Sequence, residues 1–186
     1  MNKQVHQLNT LPVSAVLPSA YTDFLHFVAC GKPCIRTCVQ DNKNLTAIAN
    51  WCNSHNFAFQ TDEDGYICVA HDTKMAKAVL KIDRSVIPHT FELGQMLGYP
   101  ACCFTSVHEI EEENIDSFAD EIFCWEFNGI FKLINPSDYL NGQALICHLP
   151  CSPTCVPSLQ LAKKALGFIK IHYFQISLLK NWSKWL

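Results

Sequence analysis

The chain has 186 residues, is 49% apolar and carries a formal net charge of −3. That length and composition suffice for a real core and exclude a natively disordered chain. Arginine occurs only at Arg36 and Arg84, which argues against phosphate or nucleic-acid recognition, where guanidinium forks dominate.

In chain order, residues 1–18 read as an extended N-terminal arm with Pro12 and Pro18. Ser19 can cap a short helix, Ala20 to Ala29, that Gly31 stops. Lys32 to Gln40 is rich in branched residues and predicts a strand. Asn44 to Ser54 predicts an amphipathic helix with Leu45, Ile48, Ala49 and Trp51 inside. Phe57 to Gln60 and Tyr66 to Ala70 predict two strands joined by a turn at Asp62-Glu63-Asp64-Gly65. Asp72 then caps a helix running to about Ile82. Beyond Pro88 the pattern turns helical. A short helix, His89 to Leu97, is closed by Gly98, and Pro100 opens another that reaches about Asn114. Ser117 to Trp125 is a third. Turn residues break up 127–147, and Pro157 opens a long final helix whose apolar spacing continues through Tyr173, Ile176 and Leu179. The expected fold is α+β: one domain, 19–186, in which a small α/β layer of about three strands (19–83) packs with a mainly helical half (84–186).

Charge is unevenly spread. Residues 107–126 hold eight acids and no lysine or arginine, whereas 139–186 hold five lysines and no acid. Two helices with oppositely charged outer faces account for this; an acidic docking face is the sharper alternative.

Eleven cysteines is high usage. A secreted disulfide scaffold would explain it but needs an export signal, and Met1 to Thr10 is polar with no apolar stretch after it. No run of 18 apolar residues suggests a membrane span. The expected location is therefore the cytoplasm, where clustered thiols serve first as metal ligands or catalytic groups. Two segments concentrate them: His89-Thr-Phe-Glu92-Leu-Gly-Gln-Met-Leu-Gly-Tyr-Pro-Ala-Cys102-Cys103, and Cys147-His148-Leu-Pro-Cys151-Ser-Pro-Thr-Cys155. Both place cysteines beside proline at a predicted helix start, where free N–H groups favour thiolate and anionic clusters. Cys102, Cys103, Cys151 and Cys155 are the expected ligands. Adjacent cysteines usually diverge, so Cys102 and Cys103 either share a polynuclear cluster or divide between ligand and core.

The leading expectation is an iron–sulfur cluster of the 4Fe-4S type, with His89, Glu92 and His148 as candidate proton-moving catalytic groups. Zinc is the alternative, held by Cys103, His148, Cys151 and Cys155 in a closed structural site, or by three of these plus water in a hydrolytic one. A metal-free reading makes Cys103 a nucleophile with His148 or His89 as base. Cys52, Cys68 and Cys124 sit in apolar periodic settings and read as core. Cys30, Cys34 and Cys38 resemble the radical SAM signature with one residue too many, and on a strand Cys34 and Cys38 lie too far apart for one ion. Neither a nucleic-acid partner nor an oligomeric state is indicated.

At these motifs the chain resembles a family of uncharacterised prokaryotic cysteine-rich proteins marked by His-x-x-Glu-Leu-Gly, Leu-Gly-Tyr-Pro-x-Cys-Cys and His-x-Pro-Cys-Ser-x-x-Cys. Here these are His89–Gly94, Leu97–Cys103 and His148–Cys155. The resemblance covers about residues 85–165 and implies that the two segments form one site, without naming a reaction. The tandem pair alone is also similar to the cysteines that hold a four-iron cluster in the small subunit of respiratory NADH dehydrogenases.

Overall fold

The computed structural model describes residues 2–85, 89–110, 114–123 and 131–186. Its elements are α1 (Lys3–Asn9), α2 (Ala20–Leu25), β1 (Cys34–Cys38), α3 (Leu45–His55), β2 (Ala58–Thr61), β3 (Tyr66–Ala70) and α4 (Thr73–Asp83). In the second half follow α5 (Thr90–Met96), α6 (Ala101–His108), α7 (Ile115–Phe123) and α8 (Val156–His172), with a 3₁₀ segment at Ser177–Trp185. This is the α+β arrangement that the sequence pattern predicts.

The three strands form an antiparallel sheet in the order β1-β3-β2, with Cys34 opposite Ala70 and Phe59 opposite Val69. Side chains alternate across a strand, so the two faces serve two cores. Ile35, Ile67 and Val69 enter the main core with Phe24, Trp51 and Ile169. Cys34, Cys68 and Ala70 face the other way, into a smaller core with Ala76, Val79 and Leu97. The sheet is thus buried on both sides, with α4 and α5 covering the second face. This explains why the central strand β3, Tyr66–Ala70, reads as an apolar run rather than strict alternation.

Two expectations need correction. Residues 3–9 of the predicted extended arm are helical; Asn2 caps α1 by accepting from the Gln4 N–H, and Val5 and Leu8 are buried in the main core. Short length and few apolar residues hid this helix, which tertiary packing stabilises. The final helix stops at His172, not near Leu179. No glycine or proline marks the break. Instead Asn9 of α1 takes it up, its amide donating to the Gln175 carbonyl at 2.7 Å and its oxygen accepting from the Ser177 N–H at 3.3 Å. Lesser differences are that α6 ends at His108 rather than near Asn114, and that Leu45 and Ala49 are only half-buried. Cys124, Glu111, Glu112, Glu113 and Glu126 lie outside the described residues.

Helix α2 continues into a π turn at His26–Cys30, and Gly31 closes it with φ of +83°. This α2–π unit is buried almost all round and packs on residues 143–148, a segment without regular structure. Ala144, Leu145, Ile146 and Cys147 there are buried, and buried carbonyls need donors. Side chains supply them: Thr22 and Trp182 donate to the Ala144 carbonyl at 3.1 and 2.8 Å, Trp185 to that of Gln143 at 2.8 Å, and His26 Nε2 to that of Leu145 at 2.9 Å.

Two glycines set the approach of α5 to its neighbours. At Gly98 φ is +73°, and an added Cβ would stand 2.4 Å from Pro33 Cδ. At Gly94 an added Cβ would stand 2.5 Å from Phe104 Cβ, so α5 and α6 meet there without a side chain between them. The Leu-Gly-Tyr-Pro turn is thereby held against the start of β1, which fixes where α6 begins.

Candidate metal centre and the adjoining cavity

Pro100 is the N-cap of α6 and Cys155 the N-cap of α8. These two helix starts meet. The Sγ atoms of Cys102 and Cys103 are 3.9 Å apart, and Cys155 Sγ lies 3.7 Å from the first and 3.6 Å from the second. With Cys151, all four sulfurs fall within 4.8 Å of one another, a group that could hold a metal ion. Both members of the tandem pair join it. Cys103 and Cys155 are buried, Cys151 is half-buried and Cys102 faces solvent.

Two backbone N–H groups point at this cluster, one from the loop before α8 and one from the first turn of that helix, where amides are free. The Cys151 N–H donates to Cys103 and the Ser158 N–H to Cys155. Burial pushes the Cys103 thiol well up and Cys151 up to about 11. Burial also acts upward on Cys155, but the Ser158 hydroxyl and N–H together with hydrogen bonds from Cys103 and Cys102 outweigh it and leave Cys155 below the ordinary thiol value. Ser158 also connects outward: its Oγ is 3.2 Å from Cys155 Sγ, 3.4 Å from Cys103 Sγ and 2.8 Å from His148 Nε2.

The other expected site residues fall outside the sulfur group. His148 touches it only through Ser158. It is not among the converging ligand atoms, so Cys102 takes the place given to His148 in the predicted zinc set. His89 and Glu92 pair with each other at 3.5 Å on the surface at the start of α5 and are not in the group either. Cys52 and Cys68 are core, as predicted. Cys30 and Cys34 are buried and Cys38 half-buried, and none of the three joins the cluster. Cys34 instead donates to the Met96 carbonyl at 3.1 Å.

Next to the sulfurs lies a cavity of about 620 Å³. Cys103 and His148 form part of its wall, as do Tyr99, Tyr139 and Cys147, and the rest is mainly apolar, from α5, α6 and α7. Behind Cys147 is a charge pair that the sequence did not signal. Lys32 Nζ is 3.1 Å from Asp23 Oδ1, with both side chains buried; it donates to Cys147 Sγ at 3.3 Å and sits 4.3 Å over the Tyr99 ring. Tyr139 donates to Asp23 Oδ2 at 2.5 Å. Burial alone would lower the Lys32 pKa, but the facing Asp23 carboxylate helps hold it above the ordinary lysine value. Burial keeps the Cys147 thiol up at about 12 despite the facing ammonium. Cys147 is thus a neutral thiol at pH 7, and the counter-ion of Lys32 is Asp23.

No protein-family profile matches the chain, and no curated protein or solved structure is significantly similar to it. No helix among the described residues is long and apolar enough to cross a membrane.

The buried histidines give this region a pH signature. Burial lowers His26 to about 4 and His148 to about 3. Unfolded histidine binds its proton near pH 6.5, so below that pH the unfolded chain takes up protons that the fold refuses. Stability therefore falls as pH drops from 6.5 to about 4 for His26 and about 3 for His148. The slope is about 1.4 kcal/mol per pH unit for each residue. Urea denaturation between pH 7 and 4.5 should show His26→Gln with a slope shallower than wild type by that amount; parallel curves would contradict it.

Proposed function

We propose that this is a zinc protein whose Cys102, Cys103, Cys151 and Cys155 form a closed tetrathiolate site. The sulfur spacing carries the reading. Zinc–thiolate bonds of about 2.3 Å in a tetrahedron put sulfurs about 3.8 Å from one another, and three of the spacings are 3.6, 3.7 and 3.9 Å. A four-iron cluster seats each thiolate on a separate iron and asks for a wider group. The all-sulfur donor set suits either, which keeps the iron–sulfur reading as the second one.

Four protein sulfurs complete the coordination of one ion, as in structural zinc sites. On this reading the ion ties the start of α6 to the start of α8, and its task is to hold the cavity wall that Cys103 and His148 share. Elemental analysis of anaerobically purified protein tests it. One zinc per chain without iron or inorganic sulfide is expected, with the spectrum of tetrahedral Co(II) tetrathiolate after cobalt substitution. Stoichiometric iron and sulfide with a brown chromophore would select the cluster instead, and absence of any metal would reject both.

A further inference from the structure

We propose that Cys102 and Cys151 are an oxidation site: a hydroperoxide joins them in a disulfide, and the metal ion is released. The release rests on the tetrathiolate reading; the pairing of the two sulfurs does not.

The four cysteines are not equivalent. Cys103 and Cys155 are buried, Cys151 is half-buried and Cys102 is exposed. An oxidant dissolved in water therefore meets Cys102 first. Thiol oxidation follows exposure and thiolate character together, and a zinc-bound sulfur is a thiolate. Cys102 has both on the loaded protein. Among the described residues the cysteines outside the group are buried, except Cys38, which is half-buried and has no ion to hold it as thiolate.

Three sulfurs lie near enough to capture an oxidised Cys102. Cys103 is its chain neighbour, and both residues are held in α6. Consecutive Cα atoms stand about 3.8 Å apart, closer than the roughly 4.4–6.8 Å of ordinary disulfides. Cys155 Sγ is 3.7 Å from Cys102 Sγ, but Cys155 is buried at the N-cap of α8, where Ser158 Oγ donates to its sulfur. Cys151 is the third. Its sulfur is within 4.8 Å of Cys102 Sγ. It also stands in residues 149–155, a stretch that no helix or strand ladder fixes.

The Cys102 thiolate attacks one peroxide oxygen. An S–O bond forms, the O–O bond breaks, and the leaving hydroxide takes a proton from solvent. Cys102 is then a sulfenic acid. The Cys151 thiolate attacks that sulfur. An S–S bond forms, the S–O bond breaks, and a second hydroxide leaves and is protonated. Two thiolates have given two electrons to hydrogen peroxide, which has become two waters. Disulfide sulfurs carry no charge, so the ion keeps only Cys103 and Cys155 and is lost. Cys103 is part of the cavity wall, so oxidation at the surface reaches that wall.

The test is hydrogen peroxide added to the zinc-loaded full chain. Zinc release, followed with a chromogenic chelator, should match formation of one disulfide, and peptide mapping should find Cys102 joined to Cys151. Dithiothreitol with zinc should restore the starting state. Peroxide should accelerate zinc release from the wild type at least about tenfold more than from Cys102→Ser, and Cys38→Ser should behave as the wild type. Zinc retained under peroxide, equal acceleration in Cys102→Ser, or a disulfide that omits Cys102 or Cys151 would overturn the inference and leave the zinc reading intact. The same disulfide in protein that never binds zinc would sink the zinc reading and leave the pair standing.

Discussion

If the tetrathiolate site holds zinc, removing the metal should cost the protein several kcal/mol, and Cys155→Ser should abolish that dependence. An ion that binds only the folded chain stabilises it by mass action, about 4 kcal/mol when free zinc exceeds its dissociation constant a thousandfold. The link closes between helix starts that lie 53 residues apart from Cys102 to Cys155. Denaturation curves with buffered zinc and with excess chelator should therefore separate in the wild type and coincide in Cys155→Ser. Cys102→Ser should be milder, because this sulfur faces solvent and water can complete the tetrahedron in its place. Wild-type curves that coincide would show that no metal contributes to folding.

The second large effect belongs to the buried ion pair. Asp23→Ala leaves the Lys32 ammonium in the interior without its carboxylate and takes the acceptor from Tyr139. Loss of one partner of a buried pair costs about 3–5 kcal/mol, a large part of the 5–15 kcal/mol that a typical domain has. The double replacement Asp23→Leu/Lys32→Met should recover most of it, because no uncompensated charge remains. Chemical denaturation of the three variants checks this. If Asp23→Ala costs under about 1 kcal/mol, the lysine is not held as an isolated buried cation.

The difference between what could and could not be read beforehand follows from locality. Strands, caps and the helix-opening prolines are local signals, and β3, the Asp72 cap and the Gly98 stop stand where the pattern places them. The choice of Cys102, Cys103, Cys151 and Cys155 as sulfurs that could hold a metal was legible because their spacing beside proline is local as well. That both Cys102 and Cys103 enter one group was not, since only the approach of α8 decides it. Ser158 carried a faint signal, three residues after Cys155 at a helix start. Lys32 and Asp23 carried none: a lysine between Gly31 and Pro33 reads as surface, and only folding shows it facing a carboxylate nine positions back. The N-terminal helix and the break at His172 were missed together, because each is settled by the other through Asn9.

The stretch 143–148 has no helix or strand of its own, yet it carries both Cys147 and His148. Its firmness is borrowed from indole and imidazole groups that reach in from elsewhere, among them Trp182 and Trp185 of the 3₁₀ segment. That segment is accordingly a brace for the chamber wall some forty positions upstream. An insertion or a bulky fusion near residue 180 would be felt at His148, far along the chain but one hydrogen bond removed from the same short run of backbone.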